Sequence, residues 1–139
     1  MIVLDTNVVS ELMRPVPSPL VTTWVRGLAP KEVATTSITV AEIGYGIARL
    51  PPGAHQDRLL VSAQQVFSAF PEQVLPFDHA AALEYGELVV TREGAGRPVS
   101  GFDAQIAAIC RAHGAQLATR NTKDFVGTEI GLVDPWQVR

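Results

Sequence analysis

The chain has 139 residues, 47% of them hydrophobic and 18% charged, with a formal net charge of −3. That length and balance fit a single domain over residues 1–139 with a sizeable apolar core, and the charge argues against a protein that coats nucleic acid by bulk attraction. No apolar run is long enough to cross a bilayer, the first residues lack a signal peptide's basic start, and the lone Cys110 leaves no internal disulfide, so a cytoplasmic protein is expected.

Met1 to Leu4 is short, apolar and turn-bounded, as a buried parallel strand should be. Asp5 or Thr6 can cap a helix to about Arg14, with Val8, Val9, Leu12 and Met13 facing inward. Arg14-Pro15-Val16-Pro17 stops it. Ser18-Pro19 opens a helix to about Gly27. Glu32 to Ser37 reads as a second strand. Thr39 opens a helix on which Val40, Ile43, Ile47 and Leu50 keep a helical period. Gly44 and Gly46 weaken that helix and suggest close backbone contact with a neighbour. After Pro51-Pro52-Gly53, an amphipathic helix runs from about Ala54 to Phe70, followed by Pro71 and a short strand at Val74 and Leu75.

Asp78 can cap a helix to about Thr91, and Arg92 to Pro98 reads as a loop. Residues 101–113 form a helix closed by Gly114. Gln116 to Thr119 is a strand, Asn121 to Phe125 a tight or single helical turn, and Ile130 to Val133 a last strand. Strands alternating with helices imply an α/β fold, a mostly parallel sheet covered on both faces.

Asp5, Glu42 and Asp103 are the candidate chemistry. A parallel sheet places its ligand at the carboxyl ends of its strands, where Asp5 falls. Asp103 lies three, four and seven residues before Ile106, Ala107 and Cys110 and so continues their apolar face inward, a costly place for an unpartnered charge. Each acid also has a structural reading. Asp5 suits an N-cap, Thr39-x-x-Glu42 is a capping box by pattern, and Asp103 suits a first helical turn. If the three converge, their repulsion favours a hard divalent cation such as Mg2+ or Mn2+, the chemistry of a phosphodiesterase acting on RNA.

Arg14, Arg97, Arg120 and Lys123 are candidate phosphate contacts, with Arg120 and Lys123 the better placed. His55, His79 and His113 have no metal-ligand spacing, and Cys110 sits on a buried stripe. Trp24, Tyr45, Tyr85 and Phe102 read as packing residues. A haloacid-dehalogenase phosphatase would need an acid where Asn7 stands and a threonine at Val9. A receiver domain would need paired N-terminal acids. Gly94-Ala95-Gly96 follows a helix, not a strand, and lacks a dinucleotide fold's third glycine. A non-catalytic interaction module is the remaining rival, and three acids serve no purpose in it.

With these residues in view, the chain resembles the PIN-domain ribonucleases, in particular the VapC and FitB-type toxins of type II toxin–antitoxin pairs. The matching segments are Ile2-Val3-Leu4-Asp5-Thr6-Asn7, Ala41-Glu42-Ile43-x-x-Gly46, Asp103-x-x-Ile106-Ala107 and Leu117-Ala118-Thr119-Arg120-Asn121-x-x-Asp124-Phe125, with a closing Val133-x-Pro135-Trp136. The resemblance implies a three-layer α/β/α sandwich and a Mg2+-dependent endoribonuclease, Mn2+ being able to substitute. It assigns Asp5, Glu42 and Asp103 to the metal, Thr6 to a positioning hydroxyl and Asn121 to a polar residue lining the site. Many relatives carry an acid at the position of Asn121, which leaves Asp124 as the nearest fourth acid here. The resemblance further implies a homodimer silenced by a VapB- or FitA-like antitoxin. The antitoxin's tail fills the groove, its arginine reaches the acids, and promoter DNA is met only through it.

Overall fold

The computed structural model describes residues 1–69 and 73–137. Its central sheet has five strands, β1 (Ile2–Leu4), β2 (Val33–Thr36), β3 (Val74–Leu75), β4 (Gln116–Ala118) and β5 (Leu132–Val133). They lie in the order β3-β2-β1-β4-β5, and every pairing is parallel. The helices are α1 (Thr6–Leu12), α2 (Pro19–Arg26), α3 (Ser37–Ala48), α4 (Ala54–Ser68), α5 (His79–Gly94) and α6 (Gly101–His113).

Strand side chains alternate between faces, and the core divides accordingly. Val3, Ala34 and Leu117 point to one side, where they pack with Leu88 of α5 and with Ile106, Ala107 and Cys110 of α6. Leu4, Val33 and Ala118 point to the other, against Val8 and Val9 of α1, Val21 of α2 and Ile43 and Ile47 of α3. The result is the expected α/β/α sandwich. Helix α6 is apolar through its middle, with Asp103 and Gln105 towards its start and Arg111 and His113 in its last turn. Its Ala104 and every residue from Ile106 to Cys110 are fully buried, which fixes the height of its first turn relative to the sheet.

The strand order carries the functional consequence. From β1 the chain steps outward to β2 and β3, then returns to the other flank of β1 for β4 and β5. The connections beyond β1 and β4 therefore diverge and leave a crevice at their carboxyl ends. Asp5 follows β1 and donates its backbone N–H to the Ala118 carbonyl at 2.9 Å, which ties the two ends together.

Several expectations shift. Helix α3 begins at Ser37 rather than Thr39, because the Thr36 hydroxyl accepts the Thr39 N–H at 3.1 Å and caps the helix. Helix α5 continues past Thr91 to Gly94, so Arg92 is helical rather than part of a loop. Its side chain turns inward and donates to the Val126 carbonyl. Helix α1 stops at Leu12, capped at Met13, and β5 begins at Leu132 rather than Ile130. Helix α4 is described to Ser68, and the expected Phe70 and Pro71 lie outside the described residues. A Cβ added at Gly44 or Gly46 would meet nothing within 4 Å, so the expected backbone contact is not made within this chain. Trp24 and Tyr85 pack against the two core clusters, but Tyr45 and Phe102 are exposed, each on the outer side of its helix. Gly114 closes α6 at φ 61°, as expected. Among the described residues no helix is long and apolar enough to cross a membrane.

Candidate active site

Asp5 serves as both cap and site residue. Its Oδ1 accepts the Thr6 N–H at 2.8 Å, which starts α1. Its Oδ2 accepts the Thr119 hydroxyl at 2.8 Å. The side chain is 5% exposed, and burial pushes its pKa from 3.8 up to about 6. The hydrogen bonds from Thr119 and Thr6 pull it back, while the charges of Asp103 and Glu42 add to the rise.

Glu42 is reached through a line of hydroxyls. The Thr6 hydroxyl donates to Glu42 Oε1 at 2.8 Å. Having spent its one proton there, Thr6 must accept from Thr39, whose oxygen lies 3.0 Å away. Thr39 in turn accepts from Thr36 at 3.5 Å. The capping box read in Thr39-x-x-Glu42 therefore does not form. Thr36 caps the helix, which leaves Glu42 to face α1.

Asp103 stands in the first turn of α6, where its N–H donates to the Ser100 hydroxyl at 3.1 Å. It is half-buried, and burial raises its pKa. Ser100 lowers it, the charge of Asp124 raises it, and the buried Arg92 guanidinium lowers it.

These three acids, carried by three separate segments, line one cleft of about 520 Å³ together with Thr6, Arg120 and Asn121. Asp124, Lys123 and Arg97 do not line it. Asp124 and Lys123 lie in the single 3-10 turn Thr122–Asp124, and Arg97 is exposed beyond α5. Among the described residues no three acidic, histidine or cysteine side chains already close around one point as a metal cage. The three carboxylates on this open wall nonetheless offer the oxygen donors that suit Mg2+. That ion takes oxygen ligands in an octahedron and keeps several of its waters.

A family model described as PIN domain matches residues 2–128. The chain belongs to the PIN-domain family. It is 36% identical over 141 residues to the VapC ribonuclease Y4jK of Sinorhizobium fredii, spanning 99% of each chain. It is 34% identical over 137 residues to the Toxin FitB of Neisseria gonorrhoeae, spanning 98% of this chain and 99% of that one. In the crystal structure of FitAcB from that organism, the matching chain superposes with a TM-score of 0.91 at 34% identity, over 99% of this chain and 100% of that one. A chain of VapBC2 from Rickettsia felis, bound to a DNA fragment from their promoter, superposes with a TM-score of 0.82 at 25% identity, over 96% of this chain and 98% of that one.

In this PIN domain four further residues shape the cleft or its supports. Thr119 is saturated, giving its proton to Asp5 and accepting from Asn7 Nδ2 at 3.2 Å and from the Asn121 N–H at 3.1 Å. Asn7 Oδ1 accepts the Arg120 N–H at 3.2 Å. Glu11 lines the cleft and is buried, accepting the Ser18 N–H at 2.8 Å and Arg14 Nη1 at 3.3 Å. Trp136 lines it as well, under the Arg120 guanidinium. Glu11 had a readable signal, since it falls three residues after Val8, on the inner side of α1. Thr119 had none, because a threonine after a strand is ordinary. Cys110 is buried, and burial together with the charge of Asp5 pushes its thiol up to about 12, which removes it as a nucleophile.

Proposed function

We propose that this PIN domain, a single catalytic unit over residues 1–139, is a VapC/FitB-type toxin acting as a divalent-metal-dependent endoribonuclease. Mg2+ is the cofactor, and Mn2+ can substitute. The observation that carries the reading is the convergence of Asp5, Glu42 and Asp103 on one cleft wall. Two of them, Asp5 and Glu42, are aimed by hydroxyls from other segments. No feature of the fold requires buried negative charge at the end of the central strand.

Asp5, Glu42 and Asp103 would hold the ion, Asp5 as its innermost carboxylate. Bound there, the ion supplies charge neutralisation at the scissile phosphate and a more acidic water. The chain supplies the rest. Thr119 and the Thr6 N–H fix both oxygens of Asp5. Thr6 fixes Glu42. Asn121, its N–H held by Thr119, lines the cleft beside them. Arg14 and Arg120 are the cations of the wall, and with Arg14 paired to Glu11, Arg120 is the one to face RNA. Lys123 and Arg97 stand outside the wall, where they would meet only flanking phosphates. Asp124 acts on Asp103 through its charge rather than as a cleft-wall ligand.

The relatives' names support the partners. VapBC2 and FitAcB are paired assemblies by name, and VapBC2 is bound to promoter DNA. This chain accordingly pairs with a VapB- or FitA-like antitoxin as a homodimer in the cytoplasm and meets promoter DNA only through it. The test is cleavage of single-stranded RNA with Mg2+ or Mn2+, against EDTA and against Asp5→Asn. The expected result is cleavage that needs both metal and Asp5. Equal cleavage by folded Asp5→Asn would overturn the reading.

A further inference from the structure

Arg49 and Arg120 each lie over an aromatic ring, Tyr45 and Trp136, but of the two Arg120 lines the acidic cleft, and it differs from the arginines engaged with acids or carbonyls. Arg14 is paired with Glu11, Arg111 with Glu84, Glu87 and Glu129, and Arg92 is buried. Arg120 is exposed, and none of the ion pairs among the described residues uses it. Its backbone is pinned by Asn7 at 3.2 Å. Its guanidinium carbon stands 4.7 Å from the centroid of the Trp136 ring. Trp136 is itself held, because it packs against the core cluster that contains Leu4 and Ala118. Its N–H also donates to Asp134 Oδ1 at 2.9 Å. Both side chains line the acidic cleft.

A guanidinium carbon 4.7 Å from the indole centroid is within cation–π reach of the ring, and the exposed side chain keeps its other side open to solvent. The edge N–H groups stay free for a phosphate, and the side turned away from the ring offers a second surface. That surface suits a nucleobase, which stacks on guanidinium planes as readily as on aromatic rings. We propose that Arg120 is a nucleobase shelf beside the acidic cleft, that Trp136 is the positioning residue that holds it in place, and that the ligand is single-stranded RNA gripped by a base rather than by phosphate alone. This rests on the nuclease reading for the choice of RNA, but it concerns binding and stands apart from hydrolysis.

The test measures binding in EDTA, where no cleavage intervenes. Fluorescence polarisation compares a single-stranded RNA octamer of adenines with an octamer of the same sugar-phosphate backbone lacking bases. Wild-type protein is expected to bind the adenine octamer roughly tenfold tighter, the scale of one stacked base. Arg120→Lys keeps the charge and loses the plane, so it should bind both octamers alike with an unchanged salt slope. Trp136→Leu should do the same, and Trp136→Phe should restore most of the preference. A simple phosphate contact predicts the opposite, with no preference for bases in the wild type and no effect of Arg120→Lys. Either of those results overturns the proposal, as does failure to bind either octamer. Base-dependent binding without metal-dependent cleavage would leave the shelf standing and remove the nuclease. Cleavage without base-dependent binding would do the reverse.

Discussion

Thr119 donates its only hydroxyl proton to Asp5 across 114 residues of sequence, at 2.8 Å. In return it accepts from Asn7 and Asn121. One buried hydroxyl thus joins the carboxyl ends of β1 and β4, the two strands whose divergence opens the cleft. Thr119→Val keeps the volume and removes all three bonds. Asp5 would lose the strongest of the hydrogen bonds that lower its pKa. The expected cost is roughly 1–3 kcal/mol, because buried polar partners are left unpaired. Denaturant unfolding reads that loss. A rate–pH profile should shift to higher pH for Thr119→Val, and Thr119→Ser, which keeps the hydroxyl, should restore it.

The pKa of Asp5 gives a signed prediction for the metal-free protein. Its folded value, about 6, lies above its ordinary 3.8. Folding therefore favours the protonated form. The stability contributed by this group is fully present below pH 3.8 and is lost as pH rises through about 6. The size is on the order of 3 kcal/mol. In EDTA, urea midpoints should fall between pH 4 and pH 7, and Asp5→Asn should flatten that fall. Mg2+ should stabilise the wild type more at pH 8 than at pH 5, since it competes with a proton at the lower pH. Equal stabilisation at both would mean that Asp5 does not face the ion.

The architecture was legible because it depends on pattern. Buried apolar strands alternating with amphipathic helices leave few foldings besides a covered parallel sheet, and Gly114 marked the end of α6 through a backbone requirement. Asp103 was legible for the same reason, since Ile106, Ala107 and Cys110 fixed which way its helix faced. What stayed hidden is settled by distant neighbours. Nothing within a few residues of Thr36 and Thr39 says which hydroxyl caps α3, and that choice releases Glu42 to Thr6. Arg92 read as loop because glycines follow it, yet a carbonyl at Val126 draws it inward. Asp124 lies three residues past Asn121, but the 3-10 turn keeps it off the cleft wall.

The link between Thr6 and Glu42 should separate positioning from binding. Thr6→Val leaves Glu42 without its 2.8 Å donor and Thr39 without its acceptor. Hydrogen bonds to charged groups are worth about 1.5–3 kcal/mol, so turnover should fall roughly 10- to 100-fold. RNA affinity in EDTA should hardly change, because Thr6 orients an acid rather than the substrate. Thr6→Ser should recover most of the rate. A matching loss of RNA affinity in Thr6→Val would make Thr6 a substrate contact instead.

Glu11 is the fourth acid that the cleft contains, and its surroundings argue that it is structural. It is 7% exposed. One oxygen accepts the Ser18 N–H at 2.8 Å and both face Arg14. A carboxylate occupied by a backbone N–H and a guanidinium is a weak competitor for a dication, since binding the ion would strip both partners. Glu11 instead ties the end of α1 to the start of α2 around Pro15 and Pro17. Glu11→Ala should lower stability by roughly 1–3 kcal/mol through the unpaired Ser18 N–H. Glu11→Gln keeps an acceptor for that N–H and should recover much of it. In both variants the Mg2+ dependence of RNA cleavage should stay close to wild type, while Asp5→Asn and Asp103→Asn weaken it at least tenfold, the low end for a lost metal-site contact. A Glu11→Gln variant that needs tenfold more Mg2+ would move Glu11 from the scaffold into the metal site.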